Sequence, residues 1–146
     1  MSEFTKKAIY SKLTGDTVLA ALLGTDENDA AAVFNATMNR MQEDATTGWT
    51  YPAVTFREAD GVADARFVSG SHGTEFFDFE IWAGTDSPLV IARIAARIEA
   101  LLHNQTLTVS SGKVYCCENI SQIPDQYDDK LKVHFGLYRY KLVVGN

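Results

Sequence analysis

The sequence predicts an α+β fold, a single antiparallel or mixed β-sheet of about four to five strands with two main helices packed on one face. Two observations lead there. Apolar residues recur at helical spacing near residues 4–13 and again after residue 88, and they alternate at strand spacing around residues 51–57, 75–84 and 131–144. The resulting order is helix, helix, strand, strand, helix, strands. At 146 residues the chain is one ordinary domain, read here as a single unit over residues 1–146.

Phe4, Ala8, Ile9 and Leu13 set the first helix, which stops at Gly15, a residue able to take the left-handed conformation that closes helices. A second, short helix follows, with Asp16 as N-cap, Val18, Leu19, Leu22 and Leu23 as its apolar stripe and Gly24 at its end. Asp26 to Asp29 reads as an acidic turn. Its ligand pattern breaks at Ala30, where a calcium loop needs a third oxygen. Val33, Phe34, Met38 and Met41 fit either a helix or a short irregular segment, and residues 45–48 read as a loop.

Tyr51-Pro52 opens a strand in which Val54 and Phe56 alternate with Thr55 and Arg57; a proline at its start suits an edge strand or one that enters the sheet late. Residues 59–74 hold Asp60-Gly61 and Ser69-Gly70-Ser71-His72-Gly73, and read as a long mobile connection that meets a partner. In residues 75–84, Phe77, Phe79 and Ile81 form the core parity. Phe76 and Trp82 share the other face with Asp78 and Glu80, as cross-strand partners or as apolar surface kept for another subunit.

The next helix is the strongest. Asp86 or Ser87 caps it, Pro88 occupies its first turn, and Ile91, Ile94, Ala95, Ile98, Leu101 and Leu102 form its buried stripe. Arg93, Arg97 and Glu99 fall on the solvated side, where the arginines are candidates for a salt bridge to another subunit. Strands follow at residues 107–109 and 113–120, turning at Ser111-Gly112, and residues 124–129 read as a solvated acidic turn. The last strand changes parity: Leu131, Val133 and Phe135 lie on one face, and Tyr138, Tyr140, Leu142 and Val144 on the other. Either a bulge near Gly136 keeps one apolar face continuous, or both faces are covered, one of them by a neighbouring chain.

The formal net charge of −6 disfavours a protein that grips phosphates, because nucleic-acid binding draws on a basic face. It leaves room for a surface past which DNA slides. No apolar run reaches the ~18–20 residues of a membrane span, and the first residues lack a signal-peptide core, so the expectation is a protein made in the cytosol with no membrane partner. Cys116 and Cys117 are adjacent in a strand-like run and read as reduced, one of them in the core. His72, His103 and His134 have no metal-ligand spacing, and Ser71-His72 lacks the nucleophile elbow. No phosphate-cradling glycine loop is present. The reading is therefore not an enzyme, with no cofactor or metal. From the residues alone it is a non-catalytic interaction module, with an enzyme or a DNA-binding accessory as disfavoured rivals.

The ordered set of Ala8-Ile9-Tyr10-Ser11-Lys12-Leu13, Val18-Leu19-Ala20-Ala21-Leu22-Leu23-Gly24, Tyr51-Pro52-Ala53-Val54-Thr55-Phe56, Phe77-Asp78-Phe79-Glu80-Ile81-Trp82-Ala83, the helix of residues 92–102 and a long final strand resembles the tail terminator, or tail completion, proteins of long-tailed phages and prophages. The resemblance covers about residues 8–144, and residues 30–47 stand out as an extra segment. It implies a structural virion protein, located in the virion tail after assembly in the host bacterial cytoplasm. Such proteins self-associate into a ring, commonly a hexamer, that caps the tail tube protein, ends tail polymerisation and presents a surface to the head-completion or neck protein. A head–tail joining role on the portal side is the alternative. A closed ring needs two different exposed patches per subunit. The candidates for the subunit or tube interface are Phe76, Trp82, Arg93, Arg97, Phe67, Val68, Tyr138 and Tyr140. Asp60 and Asp64 are candidates for a loop lining a lumen through which DNA passes without specific binding.

Overall fold

A computed structural model describes residues 2–26, 29–35, 50–59, 72–84, 88–109, 112–130 and 132–145. It contains the helices α1 (Ser2–Thr14), α2 (Thr17–Leu22) and α3 (Leu89–Leu102). The strands are β1 (Val33–Phe34), β2 (Ala53–Glu58), β3 (His72–Gly84), β4 (Leu107–Val109), β5 (Gly112–Asp128) and β6 (Val133–Gly145). They form one six-stranded sheet in the order β1-β2-β3-β6-β5-β4. The α+β class is as predicted, and the sheet is mixed because β1 pairs in parallel with β2 while every other pair is antiparallel. The strand beyond the expected five is β1, whose two residues carry too little alternation to read as a strand.

All three helices contribute to one apolar layer on one side of the sheet. Ile9 and Leu13 of α1, Leu19 of α2 and Ile91, Ile94 and Ile98 of α3 are buried against Phe56, Phe79, Ile81 and Tyr140. The rings interlock. Phe56 stacks on Phe79 with centroids 5.7 Å apart, and Tyr140 meets Phe79 edge-on at 5.3 Å.

Asp16 caps α2 as its position predicts, its carboxylate accepting the Leu19 N–H at 2.8 Å. The same carboxylate accepts two hydrogen bonds from Arg97 of α3, at 2.6 and 2.8 Å. One side chain thus starts a short helix and ties it to the long one. Gly15 ends α1 without the left-handed conformation expected of it; the only glycine with positive φ among the described residues is Gly84. A Cβ at Gly15 would lie 2.9 Å from the Ser11 carbonyl, so close approach is what favours glycine there. At the start of α3 the position before the helix is Pro88, with no side-chain cap; Asp86 and Ser87 lie outside the described residues.

The long connection is shorter than its composition suggests. Ala59 is buried and its N–H donates to Phe76, and His72 to Thr74 already belong to β3, pairing with β6, so both ends of the 59–74 stretch are built into the sheet. Residues 60–71, with Asp60, Asp64, Phe67 and Val68, lie outside the described residues.

β5 corrects another expectation. It runs on through Pro124 to Asp128, so the residues read as an acidic turn are an edge strand, with register shifts against β6 at Val114/Cys116, Asn119/Ser121 and Ile123/Gln126. Proline is tolerated there because Pro124 falls inside the register shift between Ile123 and Gln126, where it has no partner in the ladder. The turn to β6 follows, with Asp128 accepting the Lys130 and Lys132 N–H groups. The side chains of Cys116 and Cys117 are outside the described set.

The parity change of the last strand is real and needs no bulge in β6. Strand β6 pairs with β3 continuously from Phe135 to Gly145, with Gly136 opposite Ile81. Tyr138, Tyr140 and Leu142 therefore face the helices, and Val133 and Phe135 the other side, where they join Trp82. Gly136 serves a different end: a Cβ there would stand 2.8 Å from Ile91 Cγ2 and 2.9 Å from Tyr138 Cε2. Its lack of a side chain lets α3 descend onto the sheet.

Candidate functional site

The described residues place the sequence-predicted interface residues on several different surfaces. Three were expected to stay exposed and do not. Tyr138 and Tyr140 are 5% and 1% exposed, because their parity is the helix-facing one; burial raises the Tyr138 hydroxyl pKa. Trp82 is 3% exposed on the opposite side, where it stacks on Phe135 at 4.6 Å and donates its indole N–H to Thr55 Oγ1 at 3.1 Å. The large side chain opposite the helices is thus satisfied within its own chain.

Arg97 is likewise engaged internally. Its two hydrogen bonds to Asp16 hold that carboxyl down at about 2 against the opposing pull of partial burial, with the Leu19 N–H and the positive charges of Arg97 and Lys12 adding to the effect. The same contact raises the Arg97 pKa. Arg93 is exposed on α3, and Phe76 is half-buried on β3.

The sheet face away from the helices carries a charged layer. Asp78 lies opposite Arg139 in register and accepts from its guanidinium at 2.7 and 3.1 Å; the carboxylate is 6% exposed and the arginine 37%. The Asp78 contact raises the Arg139 pKa. Beside it, burial pushes the Glu80 carboxyl up, with Arg57 opposing and Asp78 and Asp128 reinforcing the rise. This layer orders the sheet.

Two surfaces are open to a partner. The first is a groove of about 390 Å³ beside β1 and β2, lined by Lys6, Lys7, Tyr10 and Ser11 of α1 with Asn35 and Phe56. Tyr10 is 39% exposed. The second is the outer edge of β5. Strand β4 pairs only with Gly112 to Val114, so among the described residues no strand pairs with the rest of that edge. Ile120, Ile123 and Tyr127 are 44%, 40% and 51% exposed along it. His103 accepts the Asn119 N–H at one end, and Asp125 pairs with His134 at 3.2 Å near the other, with Tyr127 edge-on to the same imidazole at 5.0 Å.

Sequence reasoning missed both surfaces. Lys6, Lys7 and Tyr10 occupy the polar side of a helix whose apolar side points inward, and nothing local says that β1 will leave a groove beside them. For β5 a signal existed: Ile120 ends the predicted strand and Ile123 and Tyr127 lie just before and within the stretch that reads as a polar turn, and side chains of that size need a surface to cover.

The comparisons with known proteins agree with this fold. The family model described as "Tail completion protein gp17" matches residues 7–145. Among solved structures, the chain is similar to one in the virion of a native gene transfer agent particle, with 19% identity, 99% of this chain and 97% of that chain covered, and a TM-score of 0.74. None of the curated proteins matches it.

Proposed function

The chain belongs to the tail completion protein family, structural proteins of the phage tail, and on that premise we propose that it assembles into a ring, commonly of six copies, that caps the tail tube and ends its polymerisation. The ring's other surface joins the tube to the head-completion or neck protein, and DNA passes through its lumen without specific binding. The family match across residues 7–145 is the observation that carries this reading. The net charge of −6 supports a lumen that does not retain DNA. Phe76 and Arg93, both accessible, remain candidate contacts between subunits or with the tube, as do Phe67 and Val68, while Asp60 and Asp64 remain candidates for the lumen. No catalytic step is part of the role, and the virion tail is its place of action after assembly in the bacterial cytoplasm.

Electron microscopy of particles from a phage or prophage carrying an early stop in this gene tests the proposal. Tubes of uncontrolled length together with tailless heads are the expected result. Tails of normal length lying free of heads would instead assign the chain to head–tail joining.

A further inference from the structure

We infer that the groove beside α1 receives the outer edge of β5 from a second copy of this chain, so that each subunit contacts the next head to tail; this rests on the ring proposed above and names its contact. The two surfaces differ in the way such a contact needs. Residues 118–129 contain Glu118, Asp125, Asp128 and Asp129 and no lysine or arginine, whereas α1 carries Lys6, Lys7 and Lys12 against a single acid, Glu3. The acidic strand also presents Ile120, Ile123 and Tyr127, each two-fifths or more exposed, while the groove offers the exposed ring of Tyr10 on the same helix as Lys6 and Lys7. Apolar anchors flanked by carboxylates thus meet a groove that presents one exposed tyrosine beside two ammonium groups.

Topology supports the same pairing. The groove borders β1 and β2, and the acidic edge belongs to β5, with β3 and β6 between them in the sheet. At ~4.8 Å per strand spacing, three intervals put roughly 14 Å of sheet between β2 and β5. Two unlike surfaces in different places on one subunit make a heterologous contact, which closes into a ring rather than a two-fold dimer when the rotation between neighbours allows. The edge geometry fits an occupied rather than a bare state. Long strand edges with exposed apolar residues are a hazard in isolated proteins, and the register shifts and Pro124 blunt this one without covering its side chains.

Charge reversal on both sides tests the contact. Glu118 and Asp129 are exposed, and neither is the capping Asp128 nor the His134-paired Asp125, so E118K/D129K leaves the turn intact. K6E/K7E reverses the groove. Each double variant is expected to lower incorporation into particles roughly tenfold or more, since like charges then face each other. The chain carrying all four substitutions regains it. In solution at high concentration each double variant alone is expected to stay monomeric by sedimentation and the two mixed are expected to associate, because both contacts between them are complementary, basic edge with acidic groove and unmodified edge with unmodified groove. A folding defect cannot produce this rescue. If both double variants assemble like the unmodified chain, the contact is overturned while the ring stands. If the fourfold variant fails to regain assembly, the groove faces another partner, such as the tube protein, and the contact is again overturned. If particles of the unmodified chain carry a single copy, the ring itself falls.

Discussion

On one side of the sheet Phe56, Phe79 and Tyr140 are buried beneath a layer of helices; on the other, Trp82, Thr55 and Asp78 are buried among neighbouring strands and the short segments that hold Phe34 and Tyr51. The first side excludes water with bulk, and its side chains need only fit. The second does so with pairs, Trp82 with Thr55 and Phe135, Asp78 with Arg139, each of which depends on a named partner. A sheet face with little apolar cover is thus ordered by complementary groups, at the expense of tolerance to their loss.

The helix side is broken most severely by Phe79→Ala. Phe79 is fully buried between Phe56 and Tyr140, and its removal is expected to cost about 3–5 kcal/mol, seen as a large fall in the urea midpoint. On the other side the expected effects depend on which partner is lost. Arg139→Ala leaves a carboxylate that is 6% exposed without its cation and should cost about 3 kcal/mol, whereas Asp78→Ala leaves a guanidinium already 37% exposed and should cost about 1–2 kcal/mol. Equal losses in the two unfolding curves would contradict the asymmetry.

Gly136→Ala probes how tightly the helix layer sits on the sheet. The new methyl would crowd Ile91 Cγ2 and Tyr138, for an expected cost of about 1–3 kcal/mol in the same denaturation assay.

The smallest expected effect is at the tie between helices. Asp16→Ala should lower stability by about 1 kcal/mol through the lost cap. The pH dependence has a defined sign. The Asp16 carboxyl is held below its ordinary 3.8, at about 2, so its contribution is present above about pH 4 and is lost as pH falls toward 2. In Arg97→Gln the melting temperature should fall less steeply across that window than in the unmodified chain.

What was legible in the sequence was what local periodicity records. The stripe from Ile91 to Leu102 and the parity of Phe77, Phe79 and Ile81 name both the elements and their buried faces, because each pattern is complete within one element. Tyr138 and Tyr140 were misplaced for the opposite reason. Their strand offers two apolar parities, and which one faces the helices is decided by pairing with Phe79 and Phe77 of β3, far away in the chain. The tie between Asp16 and Arg97 is equally remote in sequence, so Arg97 looks free on its own helix. The continuation of β5 through Pro124 was hidden by turn-forming residues in an edge strand, where irregular pairing relaxes the usual preferences. As for the candidate site, the charge and solvent exposure of residues 124–129 were visible and the strand they extend was not; the groove depends on how α1 lies beside β1 and β2, which no local pattern states.

The place of β6 in the strand order governs how the chain can acquire its structure during synthesis. This strand lies between β3 and β5, yet it is the last of the six to be made. Until residues 133–145 have left the ribosome, β3 has β2 on one side and nothing on the other, and α3 has no finished sheet to settle on. Beside its local hairpin with β5, β6 thus has a long-range pairing to make with β3, the kind that loop-closure entropy makes slow. A subunit becomes competent to join its neighbours only once translation has passed that point, which separates the making of the protein from its assembly in time.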